Sequence, residues 1–404
     1  MAQYGHAGTV AVGGAGFRGF TATTRMKSIF PAICEANIMN HQLRLLVGRW
    51  PLAVPALAAL VLALTWGRSL SAGAVALVSC CLAGAVLSAV HHAEVIAHRV
   101  GEPFGSLVLA VAVTIIEVAL IVTLMADGGE KSGSLARDTV FAAVMITCNG
   151  IVGLSLLVCA LRRRVAVFNA EGTGAAFGTV ATLAGLSLVL PTFTTSTPGP
   201  RFSSAQLVFA ALAALILYGL FVATQTVRHR DYFLPVTAEG VVIDADDHAD
   251  PPSSKVALTS LGLLAVALLS VVGLAKGVSP TIEAGVAAAG LPASVVGVVI
   301  ALLVLLPETI AALRAARRDR VQTSLNLGLG SAMASIGLTI PAVAVASIWL
   351  EGPLVLGLGA THMVLLALTV VVGTLTVIPG RATPLQGGVH LSLLAAYIVL
   401  AVSP

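Results

Sequence analysis

Charge is scarce in this sequence: Asp, Glu, Lys and Arg make up 10% of its 404 residues, and aromatic side chains only 5%. A soluble domain carries about 25% charged residues, so the chain lacks the polar surface needed to clothe a globule of its size. With 57% hydrophobic residues it reads as an integral membrane protein. The net charge of +4 is small and the basic residues fall in short clusters between apolar runs, which excludes a nucleic-acid partner. Cysteine is equally uninformative. Cys80, Cys81, Cys148 and Cys159 lie in apolar stretches and Cys34 stands alone upstream, so neither a disulfide framework nor a zinc spacing is legible. No apolar stretch holds an Asp pair or an H-E-x-x-H motif, and neither His362 nor His390 has an assignable serine, which leaves an intramembrane hydrolase without its chemistry.

What is abundant is spanning hydrophobic sequence. A helix needs roughly 20 mostly apolar residues to cross the hydrocarbon core. Eleven stretches qualify, at about 50–66, 70–90, 104–126, 138–161, 176–195, 205–226, 256–275, 292–313, 323–349, 354–379 and 386–402. Glycine and proline inside them (Gly150, Gly153, Pro307, Gly328, Gly330, Gly337, Pro341) are tolerated in a bundle, because neighbouring helices and cavity waters satisfy the freed backbone groups. Of the 22 Lys and Arg residues, 17 fall on one side of these spans and 5 on the other. The positive-inside rule then puts the amino terminus in the cytoplasm and the carboxyl terminus outside. Residues 1–49 show no apolar h-region and no cleavage site of a signal peptide, and in-frame Met26 and Met39 stand closer to the first span. They are expected to form a disordered cytoplasmic tail.

One long polar connection, about Arg228 to Lys255, divides the chain. It leaves an extra helix at 50–69, five spans in 70–227, an acidic linker over 228–255 and five spans in 256–404. An odd number of spans per half makes the second half enter the membrane from the opposite face, which is the arithmetic of an inverted repeat. The second helix of each half carries a mid-span glutamate, in Thr114-Ile115-Ile116-Glu117 and in Leu306-Pro307-Glu308-Thr309. Each is followed by a helix rich in small and hydroxylated residues, around Thr147, Asn149, Gly150 and Ser155 in the first half and Ser331, Ser335, Gly337 and Thr339 in the second. The other sixteen of the 18 acidic residues fall in loops, in the tail or near helix ends. A carboxylate at the bilayer centre costs at least about 2.5 kcal/mol, and this chain carries that cost twice, at matching positions.

His98-Arg99-Val100-Gly101-Glu102-Pro103, the Thr114 to Glu117 segment, His229-Arg230-Asp231-Tyr232-Phe233, and Pro307-Glu308 followed by Asn326-Leu327-Gly328-Leu329-Gly330-Ser331 resemble the ChaA-type bacterial Ca²⁺(Na⁺)/H⁺ antiporters of the calcium:cation antiporter superfamily. The resemblance runs from about Leu52 to the end. It implies an all-α integral membrane fold of about eleven transmembrane helices, one extra helix plus two inverted five-helix repeats, in a bacterial inner membrane. It further implies that Glu117 and Glu308 bind the cation and the protons. In vacuolar-type exchangers glycine and asparagine precede the glutamate, whereas Ile115-Ile116 and Leu306-Pro307 stand there here. That removes side-chain oxygens from the expected ligand set.

Thr114, Thr147, Asn149, Ser331 and Ser335 are the accessory ligand candidates, Ca²⁺ needing about 6 to 8 oxygens; each could equally be helix-packing glue. Pro307 removes a backbone donor and is expected either to interrupt its helix and free a carbonyl or merely to kink it. His91, His92, Glu94 and His98 are placed between the second and third spans, with Glu94 and His98 four apart, a spacing compatible with a metal but more commonly found on solvated helix ends. His362 and His390 read as neutral imidazoles hydrogen-bonded between helices. Asp244, Asp246, Asp247 and Asp250 start like an EF-hand loop but lack its glycine and its closing glutamate, so a solvated linker is the expectation. Arg314, Arg317, Arg318 and Arg320 read as an anchor to anionic lipid. The functional expectation is a secondary antiporter exchanging Ca²⁺, or Na⁺ and K⁺, for protons, whose partners are inorganic cations, protons and membrane lipid, with no cofactor; its rivals are a cation channel using the same acids as a selectivity ring and a Na⁺(K⁺)/H⁺ antiporter with little Ca²⁺ activity. Preferred cation and oligomeric state are not legible.

Overall fold

The computed structural model describes residues 50–68, 70–101, 104–126, 132–236, 252–292, 294–350 and 352–403. The tail, Cys34 and the acidic run from Asp244 to Asp250 lie outside the described residues. Within them the chain forms eleven helices: α1 (Trp50–Thr65), α2 (Ala72–Val100), α3 (Phe104–Ala126), α4 (Leu135–Arg163), α5 (Ala170–Phe193), α6 (Ser204–Arg228), α7 (Ser254–Ala288), α8 (Ser294–Arg317), α9 (Val321–Ala346), α10 (Ala360–Val377) and α11 (Pro384–Val402). Local chemistry sets several of the boundaries. Ser203 and Gln206 form a capping box on α6, Asn169 accepts from the Glu171 and Gly172 amides at the start of α5, and Gly101 ends α2 at φ 76°, a conformation that favours glycine.

Three expected spans are redrawn. The second does not stop at residue 90: α2 continues to Val100, so His91, His92, Glu94 and His98 sit on its last turns rather than in a connection. No breaker occurs before Gly101, and helix, once nucleated, continues. Helix α7 likewise runs on from 275 to Ala288, even through Pro280. Conversely, the span expected from 354 begins at Ala360. Residues before it are extended and tied to other connections, Val355 N–H donating to the Gly133 carbonyl at 2.9 Å and Gly357 N–H to that of Pro200 at 3.0 Å. Leu356 and Leu358 of this strap are buried.

The helices are arranged as one extra helix and two inverted five-helix repeats, α2–α6 and α7–α11. Packing repeats across the halves: α2 lies along α7, α4 packs on α11 as α9 packs on α6, and α4 packs on α8 as α9 packs on α3. Connections sort to two ends in the alternation that eleven spans require. At the end bearing the linker, Ala166 pairs with Ala382 in a two-stranded antiparallel ribbon of β1 (Ala166–Val167) and β2 (Arg381–Ala382). Arg163 Nη2 donates to Asp319 Oδ2 at 2.8 Å and Arg99 Nη2 to Ser254 Oγ at 2.9 Å at this same end. The Arg163 guanidinium holds the Asp319 carboxyl below its ordinary range. The Gly133, Pro200 and Val355 connections meet at the other end.

Two hydrophobic clusters form the interior, one mainly from α4–α6 and α9–α11, the other mainly from α1–α3 and α7, with α8 giving a face to each. A cavity opens along this seam.

Candidate cation site

Glu117 of α3 and Glu308 of α8 line one cavity of about 200 Å³, room for a cation and several waters. Glu117 is 4% exposed, and its Oε1 accepts a hydrogen bond from Ser335 Oγ of α9 at 2.6 Å. Thr339 Oγ1 stands beside the same carboxylate but makes no hydrogen bond. Glu308 is held differently: its Oε2 is buried and has no hydrogen-bond partner. An unsatisfied carboxylate oxygen at the middle of a span is costly, and a proton, a cation or a cavity water would satisfy it.

The wall between the two acids comes from three helical faces. Val113, Thr114 and Glu117 come from α3; Tyr218, Phe221 and Gln225 from α6; Thr323, Asn326, Gly330 and Ser331 from α9. With Leu327 and Ala334, these α9 positions form two adjoining rows at three- to four-residue spacing, 323–326–330 and 327–331–334, and so share one face. Gly337 of α9 lets Tyr218 of α6 approach closely: a Cβ there would stand 2.7 Å from that of Tyr218.

All these residues lie between the middle of the bundle and the linker end, so the cavity opens in that direction. At the opposite end α8 closes on α4. A Cβ at Gly297 would meet the Thr139 nitrogen at 3.0 Å and the Asp138 side chain at 3.1 Å.

Of the residues singled out in the sequence, Glu117, Glu308, Thr114 and Ser331 line the cavity, and Ser335 stands behind Glu117. Thr147 and Asn149 do not reach it. They lie in a π-helical segment of α4, Ile146–Ile151, where the Thr147 hydroxyl donates to the Ala143 carbonyl at 2.7 Å. Asn149 Nδ2 donates to Thr369 Oγ1 of α10 at 2.9 Å, and its Oδ1 faces His390 Nδ1 of α11 at 3.1 Å. Asn149 is therefore engaged in packing the first repeat against α10 and α11, while Thr147 bonds within its own helix. Of the two readings of Pro307, the interruption is not seen either. Helix α8 is continuous from Ser294 to Arg317, because loss of a single N–H is absorbed by its neighbouring bonds.

Reading the histidines as interhelical bonds holds for His390, whose Nε2 lies 3.2 Å from Thr376 Oγ1. His362 instead packs its ring against Phe141, 4.9 Å between centroids. His92 Nε2 meets the Pro51 carbonyl at 2.9 Å and fastens α1 to α2. Among the described residues no group of three or more His, Cys, Asp and Glu could hold a metal.

Sequence reasoning missed Gln225 and Thr323 and met Asn326 only within a motif. Their signal was available: polar residues at helical spacing on one face of two otherwise apolar spans.

The family described as sodium/calcium exchanger protein matches residues 70–227 and 259–403, the two five-helix sets. The protein y4hA of Sinorhizobium fredii (strain NBRC 101917 / NGR234) is 45% identical over 362 residues, covering 88% of this chain and 96% of its own length. The sodium-potassium/proton antiporter ChaA of Escherichia coli (strain K12) is 34% identical over 352 residues, 86% of this chain and 94% of its own. Among solved structures, that of the H⁺/Ca²⁺ exchanger CAX superposes with a TM-score of 0.63 at 16% identity, covering 87% of this chain and 92% of that one, a likeness of fold.

Proposed function

Because the chain belongs to the sodium/calcium exchanger protein family, a family of multi-pass membrane antiporters, we propose that it exchanges Ca²⁺, or Na⁺ and K⁺, for protons through Glu117 and Glu308. The observation that carries this reading is the meeting of the two carboxylates in one cavity open at one end. Two negative charges confined in a water-poor cavity repel each other, and either protons or a cation must neutralise them. Cation and protons thus exclude one another at the same oxygens, and that exclusion couples the two fluxes. Access alternates as the seam closes at the linker end and opens where Gly297 meets Asp138 and Thr139.

The 17 to 5 asymmetry of Lys and Arg supports a cytoplasmic linker end in a bacterial inner membrane, with the carboxyl terminus outside. Reporter fusions at Ser253 and at the carboxyl terminus should then read cytoplasmic and periplasmic.

A monovalent preference is favoured by one feature. The residues before each glutamate, Ile115-Ile116 and Leu306-Pro307, supply no side-chain oxygen, while Ca²⁺ takes 6 to 8. The relative ChaA is described as a sodium-potassium/proton antiporter. A cation panel in proteoliposomes under an imposed pH gradient tests both readings. Uphill cation movement driven by protons is expected, and raising the proton concentration on the loading side should raise the apparent KM. Purely downhill flux would make the protein a channel instead.

A further inference from the structure

The geometry points to a second cation station at the mouth of the cavity, formed by neutral oxygens of Gln225 and Thr323, where an incoming cation exchanges part of its hydration shell before it reaches the glutamates. This rests on the exchange reading above and names the residues that would tune its selectivity.

Four observations converge on these two side chains. From Thr323 to Ala334 the lined face of α9 covers eleven helical steps, a depth of about 16 Å at 1.5 Å per step. Thr323 is therefore at the linker end, far from the carboxylates. Gln225 lies at the corresponding end of α6, within a π-helical turn, Thr224–Arg228. Such turns change the direction in which a side chain leaves the helix and recur at functional sites.

Their hydrogen bonding then separates ligands from posts. Asn326, also on the wall, has both ends of its amide committed: Nδ2 donates to the Phe233 carbonyl at 2.6 Å and Oδ1 accepts from Gln322 Nε2 at 2.9 Å. It holds the start of the linker against the cavity wall. The neighbouring hydroxyls of Thr224 and Thr226 are likewise spent on the Leu220 and Val222 carbonyls of their own helix. Gln225 and Thr323 make no hydrogen bond to any described residue, although both are half-buried and line the cavity. Half-buried polar groups left without a protein partner in an apolar seam are bonded to water or to what water carries.

The chemistry of this pair differs from that of the dyad. An amide and a hydroxyl do not titrate in the working range of pH, so protons cannot displace a cation from them. Neutral oxygens also hold a cation loosely enough to pass it on, as conduction past successive sites demands. The outer station should thus set the ease of entry independently of pH, whereas the inner dyad sets the proton coupling.

The test uses the full chain in proteoliposomes, with Ca²⁺, Na⁺ and K⁺ each supplied on the linker side at two pH values. Gln225→Leu and Thr323→Val keep side-chain volume and remove the oxygen. Each should raise the apparent KM about fivefold, by the same factor at both pH values, with the maximal rate and the proton dependence unchanged. Gln225→Glu should do the opposite for divalent ions, lowering the KM for Ca²⁺ relative to K⁺, and should make that KM newly sensitive to pH. An unaltered KM in both the Leu and the Val variants would overturn the station. So would a fall in maximal rate with an altered proton dependence, which would show that the substitutions act by distorting the dyad. If the wild type itself moves no cation against its gradient, the exchange reading fails, and the outer station falls with it.

Discussion

The third helix of each repeat, α4 and α9, carries polar side chains into the bundle, yet the two spend that polarity in different ways. Helix α9 turns Thr323, Asn326, Ser331 and Ser335 toward the cavity or toward Glu117. Helix α4 turns Asn149 away, into a buried network with Thr369, His390 and Thr376. A close crossing fixes that arrangement: a Cβ on Gly153 of α4 would stand 2.8 Å from that of His390 on α11. Equivalent helices in an inverted repeat face opposite ends of the bundle, so a cavity open at one end exposes the polar face of only one of them. The third helix that lines the cavity, α9, helps to form a site, and the one that does not, α4, is packed into the bundle.

The sharpest way to break this comparison is at the acids, which belong to opposite repeats but share one cavity. Glu117→Gln and Glu308→Gln keep shape and remove charge. Each should abolish proton-coupled exchange while leaving insertion and expression near wild type, measured by dye-reported proton flux in proteoliposomes. Should either variant exchange at rates near wild type, the dyad does not couple the fluxes.

A smaller effect of a different kind is expected on the α4 side. His390→Leu leaves Asn149 Oδ1 and the Thr376 hydroxyl without their imidazole partner inside the bundle. Orphaning buried polar groups costs about 1–3 kcal/mol, so the melting temperature in detergent should fall while the apparent cation KM stays within about twofold. A large change in KM with little loss of stability would mean that α4 takes part in binding.

Ser335→Ala probes the cavity side at the level of a single hydrogen bond. Without the 2.6 Å donor, the Glu117 carboxylate is less well positioned and protons compete better for it. At fixed pH the apparent KM should rise about threefold, with stability little altered. The smallest effects are expected in segments that the sequence places outside the spans. Replacing Asp244, Asp246, Asp247 and Asp250 with Asn, or deleting residues 2–38, should leave the rate of exchange within about twofold of wild type, because neither segment carries an acid that reads as part of the spans. Loss of exchange with normal insertion would identify a regulatory element.

Much of this could be read from the sequence because a bilayer leaves few alternatives. Apolar runs must become helices so that every backbone group is bonded within its own segment, which makes their number, eleven, countable and locates the acids within them. Where runs end was less legible. The continuation of α2 to Val100 and the extended strap before Ala360 depend on whether a breaker or a tertiary hydrogen bond intervenes, as that from Val355 to Gly133 does. The motif that gave Glu117, Glu308, Ser331 and Ser335 gave Thr147 and Asn149 with equal weight, since composition does not say which way a helix is rotated.

Composition and spacing by themselves determined that the chain spans a membrane in two related halves and buries two carboxylates. The tertiary structure alone decided that those carboxylates meet in one cavity, that Ser335 bonds one of them while an oxygen of the other stays unpartnered, and that Gln225 and Thr323 line the same cavity. The physical reason is rotation about the helix axis: spacing places polar residues on a common face, but only packing against neighbouring helices, with glycines where backbones cross, fixes the direction in which that face looks.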